Sequence, residues 1–198
     1  MTTDGGSVEM TDPDRANDPD AADEIAAAWQ RERPGTPTES IGIVTRTWRL
    51  AKLFGEDRRR VLAESGVDSA TLDLLSTLRR GSDPYALTTR ELARLTLVTA
   101  GAISQRVARA ERDGLVRRWS DPGDRSVWVQ LTPAGHALVE STVTRVLERE
   151  LELLAGLDAG QRRQLAELLR LLLRDVQDRL GDHGVSHVGD TGDAGAAL

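Results

Sequence analysis

The sequence contains no cysteine, and this absence removes several kinds of chemistry at once. A chain without thiols cannot form disulfides, bind a metal through thiolates or sense oxidants through a reactive cysteine. Histidine is scarce as well, with three in 198 residues. His183 and His187 have the i, i+4 spacing of a metal-binding pair, but they lie in a glycine-rich stretch where a helix is not expected. We therefore expect no metal site and no cofactor.

Long apolar runs are also missing. No stretch approaches the ~20 consecutive apolar residues of a transmembrane helix, and the acidic N-terminus lacks the apolar segment of a signal peptide. Charged residues make up 29% of the chain and mean hydropathy is −0.38, values typical of a soluble globular protein. We expect a cytoplasmic protein that does not bind membranes. The sequence has no nucleophile elbow, phosphate loop or plausible Ser-His-Asp set, so we expect that it is not an enzyme.

The formal net charge of −6 is distributed unevenly. Residues 1–24 contain eight acids and one arginine, and residues 181–198 add three acids without a base. Residues 88–131, in contrast, contain eight arginines and five acids. The middle of the chain is therefore suited to DNA phosphates, whereas the acidic ends (1–19 and 181–198) are expected to be solvated and disordered.

Proline, glycine and capping residues divide the first half of the chain into helices. Pro34 and Pro37 cannot continue a helix, so they separate the first two. Asp68 is suited to cap a third helix, which Gly81 ends. The helices predicted before residue 114 are 20–33, 38–63, 69–80, 89–95 and 100–113.

A helix-turn-helix followed by a hairpin is predicted at residues 88–131. Thr88 and Glu91 have the spacing of a capping box, and Thr99 can cap the next helix after a short turn. Beyond this helix, apolar and polar residues alternate over 127–131, the pattern of a half-buried strand. Asp121-Pro-Gly-Asp124 has the proline and glycine positions of a type II turn, so the segment is predicted to be a β-hairpin wing.

The helix at 100–113 has one apolar face and one face suited to a DNA groove. Ile103, Val107 and Ala110 cluster on the helical wheel and predict the buried side. Gln105 can pair bidentately with adenine, and arginines can contact guanine or phosphate. The residues predicted to contact DNA are Thr99, Gly101, Ser104, Gln105, Arg109, Arg112 and, from the wing, Arg125.

Arg125 follows the predicted wing turn, where it could enter the minor groove. Asp121 or Asp124 could orient its guanidinium through a bidentate pair. The alternative is a salt bridge that only stabilises the turn.

The last two predicted helices, within 132–180, carry more apolar surface than a peripheral helix requires. Leucines and a valine recur at helical spacing from Leu165 to Val176. This face must pack either against a second subunit or within the chain, and the first is favoured. The predicted fold class is therefore mostly α with a small β wing.

The run from Gly114 to Gly135 resembles the wing signature of the MarR family. It contains Gly-Leu-Val, a basic pair, Asp-x-x-Asp-Arg, a strand and Leu-Thr-x-x-Gly. The resemblance covers residues 38–180 and implies a winged helix-turn-helix domain at about 67–131 with dimerisation helices at 38–63 and 132–180. It also implies a homodimer that binds a palindromic operator in double-stranded DNA. One departure is Ser126, where many members have a second arginine.

The additional helix at 20–33 is similar to one found in the urate-responsive subfamily. The resemblance implies a ligand site at four residues, Trp29, Asp73, Arg106 and Arg118. On the helical wheel Arg106 lies beside Val107 and away from the groove face, where it needs an anionic partner. Asp73 and Arg106 could instead form a purely structural salt bridge, and Trp29 could simply anchor its helix.

We therefore expect a ligand-responsive regulator of transcription, a repressor that a small anion such as urate releases from DNA. A polycarboxylate or a phenolic compound is an alternative ligand, and a winged-helix protein without a ligand switch is an alternative function. The sequence does not distinguish a repressor from an activator.

Overall fold

The structure, a computed structural model, describes residues 18–81, 83–120, 122–123 and 126–181. Nearly all of the two acidic ends lies outside these residues. Contacts divide the chain into two compact units, with the boundary between Phe54 and Gly55.

The first unit begins with a helix that is fixed at its N-terminus. Helix α1 spans Ala21–Glu32, close to the predicted 20–33, and α2 (Glu39–Glu64) begins in this unit and ends in the second. Asp20 and Asp23 form a capping box at the start of α1. The Arg46 guanidinium, on α2, donates to Asp20 at 3.0 Å and to Asp23 at 2.7 Å. This contact lowers the pKa of Asp20 to about 2.

The second unit contains seven complete helices or strands that follow the predicted order and one strand that was not predicted. They are α3 (Ser69–Arg80), β1 (Ala86–Thr88), α4 (Thr89–Thr96), α5 (Ala100–Arg112), β2 (Val116–Trp119), β3 (Trp128–Leu131), α6 (Pro133–Leu153) and α7 (Ala159–Leu180). The predicted fold class, mostly helical with a small β wing, is confirmed.

The sheet is antiparallel with strand order β1-β3-β2. Ala86 pairs with Gln130 and Val116 pairs with Leu131, so β3 is the central strand. Strand β1 was missed in the sequence because three residues are too few to show alternation. It is extended because β3 supplies its hydrogen-bonding partner.

The helix-turn-helix is fixed by the caps that its sequence predicts. Thr88 accepts a hydrogen bond from the Glu91 amide at 3.2 Å, and the Glu91 carboxylate accepts one from the Thr88 amide at 2.8 Å. Thr99 caps α5 by accepting from the Ala102 amide. The turn between α4 and α5 contains Leu97 in the left-handed region, with φ of 52°.

The core of the second unit lies where α3, α4, α5, α6 and the sheet meet. Its fully buried side chains include Leu74, Leu75, Leu78, Leu92, Ile103, Val107, Val129 and Val139. The burial of the apolar face of α5 leaves its opposite face exposed, which positions the candidate DNA-binding surface.

Gly135 is required where α6 crosses the start of the wing. A Cβ added there would lie 2.0 Å from the carbonyl oxygen of Leu115, a backbone atom that cannot move aside. The same oxygen accepts a hydrogen bond from the Thr132 amide at 3.1 Å. The glycine in the Leu-Thr-x-x-Gly pattern therefore allows α6 to pack closely on the wing.

Candidate functional site

Helix α5 presents a polar face that matches the predicted one. Ile103, Val107 and Ala110 are at most 1% exposed and form its inner side. The opposite side contains small, polar and basic residues, all exposed: Gly101, Ser104, Gln105, Arg109 and Arg112.

The first turn of α5 offers little side-chain bulk. Thr99 is exposed and its hydroxyl serves as the N-cap. The Ser104 hydroxyl donates to the Ala100 carbonyl at 2.8 Å, which keeps it close to the helix. A Cβ on Gly101 would have Thr99 Oγ1 as its nearest neighbour, at 4.0 Å. A backbone surface of this kind can approach another molecule closely.

Arg109 has a partner that the sequence did not predict. Its guanidinium donates to the Asp68 carboxylate at 2.7 Å, and both side chains are about half exposed. Asp68 is also the N-cap of α3. Burial would raise the pKa of Asp68, but hydrogen bonds from Thr71 and the charge of Arg109 outweigh burial and lower it.

The wing carries an aromatic pair that the sequence analysis also missed. Trp119 and Trp128 face each other across β2 and β3, with ring centroids 6.2 Å apart and planes 14° from parallel. The Arg117 guanidinium lies 5.6 Å from the ring centroid of Trp119. The two tryptophans flank the predicted turn, so hairpin register could have paired them.

The predicted minor-groove residue, Arg125, lies outside the described residues, as do Asp121 and Asp124. Gly123 is described, and its φ of +91° fits the third position of a type II turn.

Two of the four residues predicted to bind a ligand are in contact. Arg106 on α5 donates to the Asp73 carboxylate on α3 at 3.1 Å. Their side chains are only 22% and 18% exposed, which makes this pair much less accessible than the Arg109–Asp68 pair. The arginine therefore lies beside the inner face of α5, as its position on the helical wheel predicts.

The other two predicted residues lie elsewhere. Arg118, on β2, donates to Glu111 at 2.8 Å, and this hydrogen bond lowers the pKa of Glu111. Trp29 belongs to the first unit, where its side chain is 49% exposed. The Glu111 partner of Arg118 was not predicted.

Large apolar side chains are exposed along α7. None of the residues of α7 is buried in the single chain. Its exposed apolar residues are Leu165, Leu168, Leu169, Leu171, Leu172, Leu173, Val176 and Leu180. Within the described residues, no helix has both the length and the apolar character needed to cross a membrane.

Comparison with known proteins agrees with the winged-helix geometry. A family model described as "MarR family" matches residues 65–125, which extend from the start of α3 into the wing. The chain is 29% identical over 147 residues to the HTH-type transcriptional regulator PecS of Dickeya dadantii (strain 3937). This match covers 74% of the chain and 89% of PecS.

Two solved structures share the fold, and the matches cover a larger share of those proteins than the match covers of PecS. Sco3205, a MarR family transcriptional regulator from Streptomyces coelicolor solved in complex with DNA, is 26% identical with a TM-score of 0.57. The match covers 70% of this chain and 92% of Sco3205. A mutant form of MarR from E. coli is 26% identical with a TM-score of 0.56, over 66% of this chain and 96% of that protein.

These relatives are regulators of transcription and not enzymes. The capped helix-turn-helix, the wing and the matches together make the chain similar to DNA-binding transcriptional regulators of the MarR family.

Proposed function

We propose that this chain is a MarR-type regulator of transcription: a homodimeric repressor that binds a palindromic operator and is released from it by a small anion such as urate. The observation that carries the ligand response is the mostly buried pair between Arg106 and Asp73, because it joins the DNA-reading helix α5 to α3. The observation that carries DNA reading is the exposed polar face of the same helix.

Each part of the α5 face has a separate task in the proposed complex. The backbone at Gly101 approaches the groove, Gln105 reads a base edge, and Arg112 contacts guanine or phosphate. Thr99 and Ser104 add contacts from the first turn, while Arg109 provides a further charge. Arg125 remains a prediction from the sequence for the minor groove. The proposal that this chain binds DNA is supported by the likeness to Sco3205, which was solved in complex with DNA.

The proposed dimer follows from the apolar surface of α7. Leu168, Leu171 and Leu173 are each more than half exposed in the single chain. Burying such side chains is favourable by about 1.5–3 kcal/mol each, and large contiguous exposed apolar patches mark interaction sites. A second copy of the chain would cover this face and present two α5 helices to a palindrome.

The proposed ligand response begins with competition for Arg106. A guanidinium can bind a planar anion bidentately, so an anionic ligand can replace the Asp73 carboxylate as its partner. The displaced carboxylate can accept hydrogen bonds from N–H groups, which urate has and citrate lacks. This exchange would shift α5 against α3 and misalign the two reading helices. The ligand releases DNA only to the extent that it binds this shifted state more tightly.

Arg118 and Trp29 stay predictions within this proposal. To contact a ligand, Arg118 would have to give up its ion pair with Glu111. An exposed ion pair of this kind contributes only about 0–1 kcal/mol to stability. Substitution of each residue alone (Arg118→Gln and Trp29→Phe) reports whether it contributes to the ligand response.

The decisive experiment measures DNA binding while ligands are added. Fluorescence anisotropy with a duplex selected from a random pool by the wild-type protein is titrated with urate, xanthine, citrate and 4-hydroxybenzoate. We expect urate to release DNA, and Arg106→Ala to raise the required concentration at least tenfold. The reason is that a hydrogen bond to a charged group contributes about 1.5–3 kcal/mol and about 1.4 kcal/mol is tenfold.

A matched variant separates ligand binding from structural damage. Asp73→Asn/Arg106→Gln removes both charges together, so neither is left unpaired in this mostly buried site. We expect this variant to keep its melting temperature and DNA affinity but to lose the response. If no ligand changes wild-type binding, the chain is a winged-helix regulator without this switch, whereas release by citrate or 4-hydroxybenzoate alone identifies a different anion.

A further inference from the structure

The two oxygens of the Asp68 carboxylate have separate partners. Oδ1 accepts the Thr71 amide at 2.7 Å and caps α3, whereas Oδ2 accepts the Arg109 guanidinium at 2.7 Å. The first of these contacts stabilises α3. The second contact holds an arginine of the DNA-reading helix and has no part in capping.

This contact can be exchanged at small cost. The side chains of Arg109 and Asp68 are 55% and 52% exposed, and exposed ion pairs contribute little to stability. The Arg106–Asp73 pair between the same two helices is much less exposed, so a phosphate of the DNA backbone reaches it less readily. Among the described residues Arg112 forms no ion pair, which makes it an unrestrained arginine on the same helix.

We propose that Asp68 competes with DNA phosphate for Arg109 and thereby limits the affinity and the salt dependence of DNA binding. This inference rests on the proposed use of the exposed α5 face for DNA. In the free protein Arg109 is held by Asp68. On DNA the guanidinium is shared between Asp68 and a phosphate, because the cost of leaving Asp68 is subtracted from the gain.

Asp68→Asn tests the competition without disturbing the fold. Asparagine caps helices about as well as aspartate, so the Thr71 hydrogen bond remains while the charge at Oδ2 is removed. We expect DNA affinity to rise about two- to fivefold, the range that exposed ion pairs span. Where Arg109 then gains a full phosphate contact, the slope of log K against log salt becomes steeper by up to ~0.9.

Two controls separate competition from a general loss of negative charge. Asp113→Asn removes an exposed acid at the C-terminal end of α5 that is not paired with Arg109. Its effect on DNA affinity is therefore that of removing one nearby negative charge. In the double variant Asp68→Asn/Arg109→Gln, the gain from Asp68→Asn should shrink to the size of the Asp113→Asn effect. This double-mutant cycle isolates the coupling between the two side chains.

The measurement uses the full-length protein and a mixed-sequence labelled duplex across a salt series. Arg109→Gln should weaken binding and flatten the slope, and if it does neither, the proposed place of Arg109 in the DNA interface fails. If Arg109→Gln behaves as expected but Asp68→Asn lowers affinity, or raises it equally with and without Arg109, only the competition is overturned.

Discussion

Gly101 offers a test in which stability and DNA binding should change in opposite directions. It lies in the first turn of α5, on the exposed face. The nearest heavy atom to an added Cβ is Thr99 Oγ1 at 4.0 Å, which leaves room for a methyl group. Glycine inside a helix costs about 0.5–1 kcal/mol relative to alanine. Packing within the described residues therefore does not require glycine here, whereas the proposed close approach to DNA does.

Gly101→Ala should stabilise the free protein slightly and weaken its DNA complex. The gain is about 0.5 kcal/mol because alanine restricts the unfolded chain, which raises Tm by roughly 1–2 °C in a chain of this length. In the complex, the methyl group overpacks a filled interface at a cost of about 1–3 kcal/mol. That cost corresponds to a roughly five- to hundredfold higher Kd.

The assay combines thermal unfolding followed by circular dichroism with anisotropy on the selected duplex. Gly156→Ala is the matched control, because Gly156 lies in the turn between α6 and α7 with no heavy atom within 4 Å of an added Cβ. We expect this control to leave DNA binding unchanged. A Gly101→Ala protein that binds DNA as tightly as wild type would refute the placement of this turn against DNA.

Three further predictions test the fold, the first unit and the proposed dimer. Gly135→Ala should destabilise the protein by about 3 kcal/mol, the upper end of overpacking costs. The reason is that its Cβ would lie 2.0 Å from the Leu115 carbonyl oxygen. Denaturant unfolding measures this loss of stability. Asp20, with its pKa lowered from 3.8 to about 2 by Arg46, stabilises α1 fully above its unfolded pKa. That contribution is lost as pH falls from about 4 through 2, and an NMR titration should show the Asp20 pKa rising in Arg46→Gln. Leu169→Glu should convert a dimer to monomers in light scattering, and an unchanged mass would show that α7 is covered in another way.

The helices were predictable because each is bounded by residues whose effect is local. The capping box of Thr88 and Glu91, the N-cap Thr99 and the Thr132-Pro133 start all depend on neighbours within three residues. The same holds for the buried face of α5, because helical periodicity alone orients it. Strand β1 was not predictable in this way, since its partner β3 lies about 40 residues further along the chain.

The arginine partners show where sequence reasoning ends. Arg106 could be assigned away from the groove because its angle on the helix is fixed by Val107 and the other buried residues. Arg109 was predicted to contact DNA, and its exposure fits that prediction, but its partner Asp68 is 41 residues away. The ion-pair partner of a long, flexible arginine side chain depends on how α3 packs on α5. Helical periodicity in the sequence carries no information about that packing.

In our proposals the packing of α3 on α5 lets one helix both sense the ligand and read DNA. Arg106 and Arg109 are three positions apart, so they lie about 60° apart on the helix and both reach α3. The two pairs differ in exposure, with side chains about one-fifth exposed at Arg106 and about half exposed at Arg109. The proposed anion enters the less exposed pair and replaces Asp73, whereas the proposed DNA phosphate contacts the more exposed pair. In our proposals the ligand and the DNA therefore bind different arginines of the same helix. A shift of α5 that begins at Arg106 also moves Arg109, because both are attached to one rigid helix.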